Sequence, residues 1–289
     1  MNSKILVVLL GMIAVGIASP LIRLANAPPI VTATYRMTLS ALMVLPVFLV
    51  YGLKEIKRYT LKEILFLAIP GLLLSVHFIL WITSLSYTTV LSSTVLVTTN
   101  PIFVPIFSYL FFKERTKKGL ILGICIAFLG SVAIALASRD KGVGSNFGNL
   151  LALLGAMAVS MYLILTRKIR AKFSLISYIF FVYSFSSVIL IIVSIITRQK
   201  LFAYDKITYT YFFLIALLPQ IIGHTSYNWA LKYFSAPFIA VSILGEPIFA
   251  SLFAFLLLKE KPASLEILGA VLIMFGIYLS AKQEGLSNI

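Results

Sequence analysis

Glu246 stands in the middle of the apolar run Pro237–Leu258. An ionised carboxylate near the centre of a bilayer costs at least about 2.5–3.5 kcal/mol, so it must face a partner or a water-filled cavity. Two chemistries suit such a group: carrying a proton, or binding a cationic group of a solute. A carboxyl that is neutral or paired and ties neighbouring helices together is the structural alternative. Pro247 follows it directly. A proline inside a helix removes one backbone hydrogen bond and clashes with the carbonyl four residues earlier, here that of Ile243. The run Val90–Phe112 carries the same device as Asn100-Pro101, with the carbonyl of Val97 set free. Asparagine donates and accepts but bears no charge. A pair of matched, interrupted helices points to a binding site between them, with Pro101 and Pro247 as the breaks.

His77, Trp81 and Ser84 recur at i, i+4 and i+7, so they share a helical face. His224 and Asn228 share another, with Tyr227 and Trp229 flanking Asn228. Imidazole, indole and amide groups among leucines suit a polar, aromatic-lined pocket for a small organic solute. Interhelical hydrogen bonding for the histidines and an interfacial belt for the tryptophans are the structural readings. Two histidines without a nearby cysteine or carboxylate are too few for a metal site, and no cofactor motif is present. Arg36 lies near the outer end of the run Val31–Tyr51. Its side chain either snorkels to the interface or meets an anionic group such as a carboxylate. The lone Cys125 reads as a small core residue. No nucleophile–base or metal constellation supports an enzyme.

The elements that hold these residues follow from composition. Of 289 residues, 61% are hydrophobic and 11% charged, and mean hydropathy is +1.05. Soluble domains carry about 25% charged residues, so part of the solvent here must be lipid. The net charge of +15 is spread in short clusters between apolar runs, which argues against nucleic acid. Runs of about 20 residues can span a bilayer. Ten are predicted: Ile5–Ile22, Val31–Tyr51, Ile64–Ser84, Val90–Phe112, Gly119–Ala137, Phe147–Thr166, Leu175–Thr197, Tyr209–Leu231, Pro237–Leu258 and Leu265–Ala281. The first run, followed by Ala25-Asn26-Ala27, imitates a cleaved leader. Pro28 after the cut and the likeness of Gly11–Val15 to Gly155–Val159 favour a retained helix.

The chain is duplicated. A shift of 146 positions carries Pro101 to Pro247, Tyr87 to Tyr233, Gly123 to Gly269 and Gly130 to Gly276. It also carries the closing Lys113-Glu114-Arg115 to Lys259-Glu260-Lys261, where Glu114 and Glu260 read as turn residues. The halves are residues 1–142 and 143–289, each with five spans. An odd number turns the second half upside down in the membrane, a plan common to secondary transporters with a midplane site. With the N-terminus inside, fifteen of the 24 lysines and arginines lie inside and eight outside, Arg36 being within a span. That bias places both termini in the cytoplasm. The glycines at 119, 123, 130, 269 and 276 predict close packing of the fifth and tenth spans.

Two copies of Asn/Glu-Pro-Ile-Phe, each followed by an apolar run closed by Lys-Glu-Arg/Lys, resemble the EamA-type branch of the drug/metabolite transporter superfamily. Ser84-Leu85-Ser86-Tyr87 and Ala230-Leu231-Lys232-Tyr233, one ahead of each copy, add to the resemblance. It implies an all-α membrane fold of ten transmembrane helices in two inverted five-helix repeats. Spans one, three, four, six, eight and nine would line a central cavity, with five and ten apart from it. It implies ATP-independent export or uptake of small metabolites, amino acids prominent among them. The sugar-phosphate exchanging branch fits poorly, since Arg36 alone could serve an anion. The expectation is therefore a multi-pass carrier of the plasma or inner membrane, a monomer or weak dimer. It would export an amino acid or related amphipathic solute by alternating access. Glu246, Asn100, His77, Trp81, His224, Asn228 and Arg36 would form its substrate site, with proton coupling at Glu246 as one reading.

Overall fold

The computed structural model describes residues 3–88, 90–137, 146–258 and 264–283, as helices and turns throughout. The first half contains α1 (Ser3–Gly16), α2 (Ala18–Ala25), α3 (Pro29–Val47), α4 (Leu53–Ile56), α5 (Leu61–Phe66), α6 (Ala68–Ser84), α7 (Val90–Val97), α8 (Asn100–Phe112) and α9 (Lys118–Ala137). The second contains α10 (Asn146–Arg170), α11 (Leu175–Ile196), α12 (Lys206–Ile215), α13 (Thr225–Ala230), α14 (Ala236–Ile243), α15 (Glu246–Leu258) and α16 (Ser264–Gln283). A π-helical turn, Phe48–Gly52, joins α3 to α4, and another, Ala216–His224, joins α12 to α13.

Many of these are pieces of longer rods, and proline explains where the rods break. α1 ends at Gly16, α5 at Phe66, α7 at Val97, α12 at Ile215 and α14 at Ile243. Each of these lies four residues before a proline: Pro20, Pro70, Pro101, Pro219 and Pro247. Each break falls where the proline cannot donate to the carbonyl and its ring crowds it. Other ends are set by side-chain caps. Thr60 and Glu63 form a reciprocal capping box, and Ser174, Asp205 and Ser235 accept from backbone N–H groups three residues on.

Among the described residues, eight helices are long and apolar enough to cross a membrane: Ser3–Ala25, Pro29–Ile56, Leu61–Ser84, Ser93–Phe112, Asn146–Arg170, Leu175–Ile196, Lys206–Ala230 and Ala236–Phe253. The fifth and tenth predicted spans give shorter apolar helices among the described residues, Lys118–Ala133 and Ile267–Gln283. The turn at Lys259-Glu260-Lys261 and the boundary at 142/143 lie outside the described residues. Large apolar side chains such as Leu10, Leu122, Leu129, Ile195 and Leu268 are exposed on the rods, as lipid contact requires. Cys125 is exposed among them rather than in the core, because the small face of α9 that packs inward is the glycine face.

That face meets α16, the most extensive helix pairing in the fold. A Cβ added at Gly276 would lie 2.5 Å from the Gly123 carbonyl oxygen, and one at Gly130 would lie 2.5 Å from that of Gly269. Elsewhere α3 packs on α11, α6 on α10, and α1 on the Ala216–His224 turn and α15. Serine and threonine hydroxyls tie α11 to α3, Thr34 to Ser194 at 2.9 Å and Thr38 to Ser187 at 2.7 Å, and to α6, Ser75 to Ser186 at 2.8 Å.

The helix ends sort into two faces. At one, Glu63 pairs with Lys172 and Glu114 with Lys168. There too the Lys117 ammonium donates to the Gln283 carbonyl, and Lys4 lies 4.6 Å from the Tyr233 ring centre. The other face carries Tyr35 donating to the Leu201 carbonyl and Thr208 to that of Ala25.

Candidate functional site

The two proline breaks place Asn100 and Glu246 at the first turns of α8 and α15, inside the bundle. The N-terminus of a helix carries partial positive charge, which favours a carboxylate in its first turn. Both residues line one cavity. Val15 of α1, His77 and Trp81 of α6, Val97 before the first break, Tyr162 of α10, and His224 and Tyr227 around α13 complete its walls. These are the first, third, fourth, sixth, eighth and ninth predicted spans; α9 and α16 do not contribute. The cavity has a volume of about 30 Å³, enough for about two waters. A larger solute fits only when the walls part.

The π-helical turn has a clear local effect. It contains Pro219 and widens the helix where Gln220 and His224 turn inward, both buried. Such turns recur at functional sites because they rotate side chains out of the regular helical register. Gly223 lets the turn approach α1 closely: an added Cβ would meet the Val15 side chain at 2.4 Å.

Inside the cavity the polar groups divide in two. The His77 Nδ1 lies 3.0 Å from the Gly155 carbonyl, and its ring lies flat against Trp81 with centroids 5.9 Å apart. His224 sits across from it, ring centroids 6.4 Å apart. In contrast, Asn100 Oδ1 and Nδ2, Trp81 Nε1 and Tyr227 Oη are buried and find no hydrogen-bond partner among the described residues. A buried polar group left unpaired costs about 1–3 kcal/mol. Three such residues lining one small cavity beside a buried carboxyl form a surface suited to a polar ligand.

Arg36 and Asn228 do not line this cavity; they form the layer behind it. Asn228 accepts from Tyr162 Oη at 2.7 Å and donates to Tyr183 Oη at 3.4 Å. It therefore braces a wall residue. Arg36 does not snorkel. Its residue is 0% exposed, its Nε donates to Gln220 Oε1 at 2.7 Å, and its guanidinium lies 4.0 Å from the Phe78 ring centre. The Gln220 acceptor and the Phe78 face hold it inside the bundle, where the pull of water cannot reach it.

Trp81 is buried in the cavity wall, so it is no part of an interfacial belt. Sequence reasoning passed over Tyr162 and Gln220. Gln220 carried a usable signal, an amide beside proline inside an apolar run; a tyrosine such as Tyr162 carries none, because the same residue is common at membrane interfaces. Arg170, grouped by sequence with the loop cations, is buried and donates to the Asn228 and Phe173 carbonyls.

Comparison with known proteins agrees with this architecture. The chain is 23% identical over 267 residues to an uncharacterized transporter of Archaeoglobus fulgidus, covering 91% of each. It is 25% identical over 262 residues to an uncharacterized transporter of Clostridium kluyveri, covering 86% of this chain and 82% of the other. A solved crystal structure with 15% identity superposes over 100% of both chains with a TM-score of 0.79, a likeness of fold. The model of the EamA-like transporter family matches twice, over residues 2–136 and 146–282, and the chain belongs to that family.

Proposed function

We propose that this transporter is a secondary exporter of a small metabolite, best an amino acid or related amphipathic solute. It works by alternating access about the cavity between α8 and α15. The observation that carries this reading is the set of unpaired polar atoms on Asn100, Trp81 and Tyr227 beside the buried Glu246. Ten spans in two inverted repeats suit it. The helix pairings support that plan, because exchanging the halves maps them onto one another: α3 with α11, α9 with α16, and α6–α10 onto the pairing of α1 with the Ala216–His224 turn. The small cavity volume suits a carrier between openings better than a channel, which needs a continuous polar path. Glu246 binds a proton or a substrate ammonium in this reading, and the basic end of the bundle faces the cytoplasm of the cell membrane.

The test is efflux of a metabolite panel from cells overproducing the protein, followed by flux of the responding solute in proteoliposomes. Flux should saturate and be stimulated by substrate on the far side. Glu246→Gln should lower it about tenfold or more, as expected when a charge-assisted hydrogen bond worth about 1.5–3 kcal/mol is lost. Unchanged flux with unchanged pH dependence would remove Glu246 from the mechanism.

A further inference from the structure

The guanidinium of Arg36 is buried in the layer directly behind the cavity wall. Its Nε is used by Gln220, yet Nη1 and Nη2 are both buried and have no hydrogen-bond partner among the described residues. A guanidinium only donates, and its two outer nitrogens form a fork matched to a carboxylate. Among the described residues one carboxylate, Glu246, lines the cavity in front of this layer. The two do not form an ion pair within 4 Å among the described residues. The Arg36 guanidinium and the Glu246 carboxyl are thus both buried, with no contact between them.

The wall between them is thin. Phe78 carries the guanidinium on its face, and the Trp81 ring centre, whose residue lines the cavity, lies 5.9 Å from the Arg36 Cζ. Gln220 fixes the fork through Nε, so the two Nη groups keep one direction. The His77–Trp81 stack is the feature that must shift for a solute to reach them.

We infer that Arg36 is the carboxylate-binding group of the substrate site, and that the site takes zwitterions. The substrate carboxylate bridges Nη1 and Nη2, and its ammonium lies toward Glu246. Charge then balances: one buried cation meets the carboxylate, one buried anion meets the ammonium. A purely cationic amine would leave Arg36 unpaired, and a simple carboxylic acid would leave Glu246 unpaired. This inference rests on the amino acid reading above and adds the group that distinguishes an amino acid from an amine.

The test uses the purified full chain in detergent. Its thermal midpoint is measured against the twenty common amino acids and the α-amide of each, which lacks the carboxylate charge. A ligand that binds the folded state raises the midpoint, by an amount that grows with the logarithm of its concentration over Kd. At least one amino acid should stabilise the wild type, and its amide should bind about tenfold or more weakly. Arg36→Gln should abolish that preference while the amide response stays. Arg36→Lys, which keeps the charge but not the fork, should fall between. Both variants are checked for wild-type elution on gel filtration. An amide that stabilises as well as its amino acid overturns the carboxylate site and leaves the amino acid carrier standing. Retention of the preference in a well-folded Arg36→Gln overturns it too. No response to any of the forty compounds overturns both readings.

Discussion

Asn100 and Asn228 are both fully buried asparagines, and they predict opposite mutational behaviour. The Asn228 amide is used on both sides, by Tyr162 and Tyr183. Asn228→Ala takes the Oδ1 acceptor from the Tyr162 hydroxyl, while Tyr183 keeps Thr225, and should lower stability by about 1–3 kcal/mol. The Asn100 amide bonds to nothing among the described residues, so Asn100→Ala forfeits no internal hydrogen bond. Its stability should stay within about 0.5 kcal/mol of wild type, while the KM for transport rises roughly two- to tenfold. Thermal melting and flux on the same preparations separate the two; a destabilised Asn100→Ala with wild-type KM would make Asn100 structural. Sequence alone marked both residues, because an amide inside an apolar run is conspicuous. It could not divide them into wall and brace, since that depends on Tyr162 arriving from another helix. For Arg36 the sequence left two readings open for a similar reason. Its position near the end of a run permits snorkelling, and only the packing of Phe78 and Gln220 against it directs it inward.

At the scale of elements, proline made the breaks readable and glycine made one interface readable. Pro101 and Pro247 divide their rods where the blocked carbonyls predict. Pro20, Pro70 and Pro219 divide theirs by the same rule, although their runs read as continuous spans. The π-helical turns were not legible. Whether a proline is absorbed by a break or by a widened turn depends on neighbours, here α1 pressed against Gly223. The glycines of α9 and α16 meet each other, and α9 and α16 stand apart from the cavity. Gly276→Ala would push a methyl to 2.5 Å from the Gly123 oxygen and 2.6 Å from the Ala127 nitrogen, both backbone atoms. Overpacking of this kind costs about 1–3 kcal/mol. The variant should melt earlier while its substrate KM is unchanged. A shifted KM with an unaltered melt would tie α16 to the site directly.

For the whole molecule, the family model matches the two halves separately, and two strong pairings, α3 with α11 and α9 with α16, join one half to the other. The sorting of helix ends into two faces makes sidedness testable. Lys57 is exposed on the segment leading to Glu63 and Lys172, and Lys200 is exposed beside Leu201 on the opposite face. In the proposed orientation the first face, with its excess of basic residues, lies in the cytoplasm, as the enrichment of short cytoplasmic loops in lysine and arginine suggests. With Cys125 replaced by serine, a single cysteine can be introduced in place of either lysine. In intact cells a membrane-impermeant maleimide should label Lys200→Cys and leave Lys57→Cys untouched until the membrane is opened. The reverse pattern would invert the proposed orientation. Labelling of both in sealed cells would contradict the two-faced arrangement itself, because ion pairs such as Glu63–Lys172 hold the first face together while Tyr35 and Leu201 join at the second.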